Sequence, residues 1–235
     1  MADSNRCECC SDRIAIDDTD PGRAPTADPP VPVEDAMATP IPDDVGAAME
    51  GAYDLDAPPA TIAEWLDGVL AAYRAAGETV TADDMCAVDD ARHEVELDGG
   101  AAVPGTDAAA AEYICVLDPL AVPFIDGTAG TVRSESPVSD ATIEFRVSPS
   151  EISVDPETAV VSLGIDAEDD DTGSASELTF EDTYELLCPY GHAFRDEAAY
   201  ERWDAERDGI ATMSLDAETA VGVAVGIARR LDAAE

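Results

Sequence analysis

The segment Ala141-Thr-Ile-Glu-Phe-Arg-Val147 alternates apolar and polar side chains residue by residue. That period of two puts Ile143, Phe145 and Val147 on one face and Thr142, Glu144 and Arg146 on the other, the pattern of a half-buried strand. Working outward, 128–133 and 159–165 carry β-type patterns, and 92–97 reads as a strand that ends at Gly99-Gly100. Residues 178–187 read as one more strand, after an acidic Ser- and Gly-containing loop over 167–177. Further out the period lengthens. Ile62, Trp65, Leu66, Val69, Leu70 and Tyr73 recur at helical spacing and predict an amphipathic helix over 61–76. Thr61 is its expected N-cap, Glu64 completes a capping box, and Gly77 closes it. Shorter helices are expected over 45–53, 81–91 and 196–207, and a last one over 217–231 capped by Asp216. Together these predict an α+β fold, a mixed or antiparallel β-sheet core flanked by helices.

The chain divides by composition into three parts. Residues 1–57 are rich in Asp, Pro and Ala and read as a flexible tail, because such a segment buries too little apolar surface to offset its ordering entropy. Residues 58–106 form an N-terminal helical part, and 107–235 the core that carries the chemistry. The whole chain of 235 residues has 53 acidic and 12 basic residues, for a formal net charge of −41, and every basic residue is Arg. Such a surface repels itself in dilute buffer. At molar salt the Debye length falls to about 3 Å and the repulsion is screened. The charge therefore predicts a salt-filled cytoplasm rather than a reaction. No basic stripe suited to nucleic acid is present. No signal-like N-terminus and no run of about 18 apolar residues is seen, so neither export nor a membrane partner is expected. In a reducing cytoplasm the six cysteines favour metal or catalytic roles over disulfides.

Three residues carry the candidate chemistry. Cys115 and Asp118 lie in Tyr113-Ile-Cys-Val-Leu-Asp-Pro-Leu120, and Cys188 lies in Leu186-Leu-Cys-Pro-Tyr-Gly-His-Ala-Phe194. Residues 108–117 read as a helix with Thr106 or Asp107 as N-cap. The i, i+3 spacing would then put Cys115 and Asp118 on one face, with Pro119 ending the helix near Asp118. Two thiols can grip a soft metal. A carboxyl group beside them can take a proton from an incoming thiol and deliver it elsewhere. Those are the parts needed to break a carbon–mercury bond. His192 reads as a structural residue beside the site rather than a base, and Cys86 as filler on a helix face. Cys7, Cys9 and Cys10 in the tail offer a soft-metal relay, or equally an inert, oxidation-prone end.

The stretch from Cys115 to Phe124 resembles the first catalytic motif of the organomercurial lyases, with Cys-x-x-Asp spacing kept. Gly127 to Arg133, Val147 to Ile152, the Cys188–Phe194 segment, the region around Trp203 and the closing Ala211–Asp216 stretch are also similar, over roughly 107–231. The resemblance implies that Cys115 and Cys188 are mercury ligands, with Asp118 as proton carrier and third group on the metal. It implies protonolysis of organomercurials to a hydrocarbon and Hg(II) with no cofactor, and small thiols or a mercuric reductase as the Hg(II) acceptor. It also implies a winged-helix-like N-terminal part. Ser136 stands where the family often has a further, structural cysteine. The alternative is a non-enzymatic mercury- or copper-binding protein or metallochaperone of the same fold. A mercury-responsive regulator would need a basic recognition helix, and Arg92 with His93 supplies too little charge for one.

Overall fold

The computed structural model describes residues 30–77, 91–103, 106–166 and 185–232. Three helices come first: α1 (Val33–Met37), α2 (Asp43–Tyr53) and α3 (Ile62–Ala76). The third is built as the sequence predicts. Thr61 accepts from the Glu64 N–H, the Glu64 carboxylate accepts from the Ala60 N–H at 2.8 Å, and Gly77 takes the left-handed conformation at φ 81°. The six apolar residues of its stripe are all buried. Residues 30–57 depart from the tail reading. The helix expected over 45–53 is α2, and its Val45, Met49 and Tyr53 are fully buried, so spaced apolar residues secure a segment otherwise rich in Pro and Asp.

Five strands make an antiparallel sheet: β1 (His93–Leu97), β2 (Ala110–Tyr113), β3 (Gly130–Glu135), β4 (Thr142–Val147) and β5 (Ile152–Asp155), in the order β2-β1-β3-β4-β5. The alternation that opened the reading holds, since Ile143, Phe145 and Val147 of β4 are fully buried while Thr142, Glu144 and Arg146 are exposed. The outer face carries a charge ladder. Arg133 reaches Glu94, Glu96 and Glu144 at 3.3–3.5 Å, and Arg146 pairs with Asp98 at 2.7 Å. The buried face is covered by α4 (Leu117–Asp126), which in turn packs on α6 (Ala217–Asp232). A second, three-stranded antiparallel sheet has β6 (Val160–Asp166) between β7 (Ala193–Phe194) and β8 (Ile210–Asp216). The short helix α5 (Glu197–Asp204), N-capped by Asp196, precedes β8. Side chains at Gly222 and Gly226 of α6 would collide with Ala36 and Met37, so these glycines let α1 lie close on α6.

Four sequence expectations give way. The helix expected over 108–117 is instead β2 followed by a turn, because its Ala-rich stretch pairs with β1 through Glu94–Glu112 and Val95–Ala111. Pro119 does not end a helix. It stands in the first turn of α4, where a backbone N–H has no intrahelical partner and a missing one is tolerated. Residues 185–187 are helical, not the end of a strand, and 178–184 lie outside the described residues. β8 and β5 were not foreseen at all. The compositional border at 106/107 also falls inside the five-stranded sheet, since β1 is hydrogen-bonded to both β2 and β3. The helix expected over 81–91 and the acidic loop over 167–177 fall on positions outside the described residues, Ala91 excepted. Cys86, Cys7, Cys9 and Cys10 lie outside them as well.

Candidate active site

Two chain segments from the two sheets meet at the site. Cys115 lies in the turn between β2 and α4, and Asp118 in the first turn of α4. Cys188 opens a 3-10 turn, Cys188–Tyr190, that leads through Gly191 and His192 into β7. The Val116 N–H donates to the Gly191 carbonyl at 3.0 Å and ties one segment to the other. The second segment is also held from below. Ser162 on β6 donates its hydroxyl to the Tyr190 carbonyl at 2.6 Å, and its backbone N–H donates to the His192 carbonyl at 2.8 Å.

The outcome is a compact donor set. One ligand atom each from Cys115, Asp118 and Cys188 lies within 4.8 Å of the others. Cys115 is buried, whereas Cys188 and Asp118 keep partial exposure. Packing around the Asp118 carboxyl strips it of water and raises its pKa from 3.8 to about 7. Burial disfavours the charged carboxylate, so Asp118 can hold a proton at neutral pH and also give it up. Two thiols with such a carboxyl are a donor set able to hold a soft metal beside a group able to carry a proton.

Three neighbouring residues escaped the sequence reading. A Cβ on Gly191 would stand 2.6 Å from the Cys115 sulfur, so only glycine lets the two segments close to this separation. At Gly164 of β6 a Cβ would meet Tyr190 at 2.8 Å, which is why the 3-10 turn can settle on that strand. His93 on β1 is fully buried, with Nδ1 2.8 Å from the Ser134 hydroxyl. Burial lowers its pKa to about 3, and that of His192 to about 4, so both rings are neutral and neither is a base at neutral pH. The one signal for Gly191 was its place three residues after Cys188. His93 gave none, because a single His in a strand is usually core. Ser136 is buried with its hydroxyl unpaired.

The chain matches the alkylmercury lyase family over residues 88–229 and belongs to that family. Among solved structures it is similar to the mercury-bound form of MerB2, at 15% identity and a TM-score of 0.42, over 60% of this chain. The match spans 59% of that chain's length. None of the curated proteins matches. No described helix is long and apolar enough to cross a membrane.

Proposed function

We propose that the protein cleaves the carbon–mercury bond of organomercurials by protonolysis, giving a hydrocarbon and Hg(II), in mercury detoxification. The observation that carries this reading is the Cys115, Cys188 and Asp118 cluster with a carboxyl whose pKa stands near 7. One thiol of the pair binds mercury and displaces the anion the organomercurial brought, and its proton passes to Asp118. The second sulfur then binds and releases its own proton. Two thiolates enrich mercury in electrons and make the carbon a better leaving group. As the carbon–mercury bond breaks, its electron pair takes the proton held by Asp118 and forms the new C–H bond. Hg(II) remains on Cys115 and Cys188. No organic cofactor enters these steps.

Release of Hg(II) calls for an outside acceptor, either small cytosolic thiols or a mercuric reductase, and Cys7, Cys9 and Cys10 offer a thiol relay on the way. The net charge of −41 supports a working place in a salt-rich cytoplasm. Headspace gas chromatography tests the reading. Protein in molar KCl with excess small thiol is given methyl- or phenylmercury. Methane or benzene from wild type, and none from Cys188→Ala or Asp118→Ala, is the expected result. Stoichiometric mercury binding with no hydrocarbon would reassign the protein as a soft-metal binding protein.

A further inference from the structure

The turn that carries Cys188 rests on β6. Ser162, Gly164 and Asp166 are alternate residues of that strand and so lie on one of its faces. All three meet Tyr190. The Ser162 hydroxyl donates to the Tyr190 carbonyl at 2.6 Å. The Tyr190 hydroxyl donates to the Asp166 carboxylate at 3.1 Å. Between them Gly164 leaves room for the Tyr190 Cβ, since a Cβ of its own would stand 2.8 Å from that atom. Ser162 also holds the residue beyond Gly191. Its Oγ accepts from the His192 N–H at 3.1 Å, and its backbone N–H donates to the His192 carbonyl at 2.8 Å. Gly191, with both chain neighbours held, is the link to the thiols. Its N–H donates to the Cys188 carbonyl at 3.3 Å, and its carbonyl accepts from the Val116 N–H at 3.0 Å. The Cys115 sulfur occupies the space that a Cβ on Gly191 would need.

We propose that this Ser-x-Gly-x-Asp seat on β6 sets the separation of Cys115 and Cys188, with Ser162 and Tyr190 as positioning residues. The assignment rests on reading the two thiols as the mercury-binding pair. Neither residue belongs to the donor set of Cys115, Asp118 and Cys188, and both act through the backbone of the turn. Pinned at Tyr190 and His192, the turn keeps Cys188 close to Cys115 before mercury arrives, so the second sulfur binds without a search. Ser162 is fully buried, so the hydrogen bonds of its hydroxyl are not readily replaced by water. Outer groups that orient metal ligands commonly change metal affinity or activity by about 10- to 100-fold when removed.

The experiment uses the full chain in molar KCl and compares wild type, Ser162→Ala, Tyr190→Phe and Thr61→Ala. Ser162→Ala removes the hydroxyl and keeps the backbone bond to His192. Tyr190→Phe removes the bond to Asp166 and keeps the ring on Gly164. Thr61→Ala weakens the cap of α3 and serves as the control for lowered stability away from the site. Two readouts are taken. The first is Hg(II) retention, followed by ultraviolet thiolate–mercury absorption while dithiothreitol competes. The second is hydrocarbon release from phenylmercury. Ser162→Ala is expected to lose Hg(II) at about tenfold lower dithiothreitol and to lower kcat by about 10- to 100-fold. KM should change little, because first capture takes one sulfur and cleavage takes both. Tyr190→Phe should shift both readouts in the same direction, and Thr61→Ala should follow wild type. Equal competition curves for wild type and folded Ser162→Ala would overturn the proposal. An equal shift in Thr61→Ala would overturn it too, because lowered stability alone would then loosen the grip. Should Ser162→Ala not fold, Tyr190→Phe decides: a weakened hold on Hg(II) supports the proposal, and a wild-type curve overturns it. A wild type that released no hydrocarbon would remove the catalytic reading alone, because the competition curves still report on the thiol pair.

Discussion

Asp118 is the residue on which acid chemistry and stability meet. Its pKa in the folded protein, about 7, lies above the ordinary value of 3.8 because burial penalises the carboxylate. The folded state therefore holds this proton more tightly than the unfolded chain does. Stability linked to Asp118 is full below about pH 4 and is lost as pH rises through about 7. The loss is on the order of 4 kcal/mol at pH 8. Asp118→Asn, which stays neutral, should unfold at higher denaturant than wild type at pH 8 and at a similar concentration at pH 4. The same variant should release no hydrocarbon. Denaturant titrations at the two pH values check the first statement and headspace chromatography the second. Gly191 tests the geometry. Its φ of −89° suits any residue, so the need for glycine is purely one of space beside the Cys115 sulfur. Gly191→Ala should fold, yet lower turnover by about tenfold or more, since displacements near 1 Å cost reactions up to about 100-fold. At this scale the sequence singled out Cys115, Asp118 and Cys188 by residue type, and the fold brings the three into one cluster. Gly191 was not legible, because the space it leaves depends on what lies across a gap between segments far apart in the chain.

Among the elements, those with local signals were read well. Thr61, Glu64 and Gly77 mark both ends of α3, and the apolar stripe between them is buried as spaced. Thr61→Ala should lower stability by about 1 kcal/mol, measured by chemical denaturation, because the Glu64 N–H loses its acceptor. The failures share one cause. β2 is Ala-rich and favours helix on its own, but β1 offers an open hydrogen-bonding edge that fixes it as a strand. β8 mixes small and polar residues, and it is a strand because β6 pairs with it along its whole length. The α4 start was misjudged by reading Pro119 as a stop. That proline is instead tolerated in the first turn of a helix that begins at Leu117, with the Asp118 carboxyl close to both sulfurs. Long-range pairing decided β2 and β8, and no window of local sequence contains it.

The whole molecule is governed by its charge. A net −41 repels itself in dilute buffer, and salt screens that repulsion. The thermal midpoint should rise steadily between about 0.1 and 2 M KCl, as calorimetry would record. Arg133 concentrates the effect, since it stands among Glu94, Glu96 and Glu144 on the outer sheet face and these carboxylates hold its pKa above the ordinary value. Arg133→Gln should lower the midpoint clearly in dilute buffer and barely in molar salt; an equal loss in both would mean that packing, not charge, is what Arg133 supplies.

The placement of the two cysteines has a mechanical side. Cys115 hangs from the five-stranded sheet and Cys188 leads into the three-stranded one. A mercury ion held by both sulfurs would be a strut between the sheets and would close a chain loop of about 70 residues. Such capture would fasten the molecule against unfolding in the way a disulfide does, but with a fastener that a passing thiol could undo. The loaded protein would be the sturdier form, and letting go of its toxic cargo would also loosen its frame.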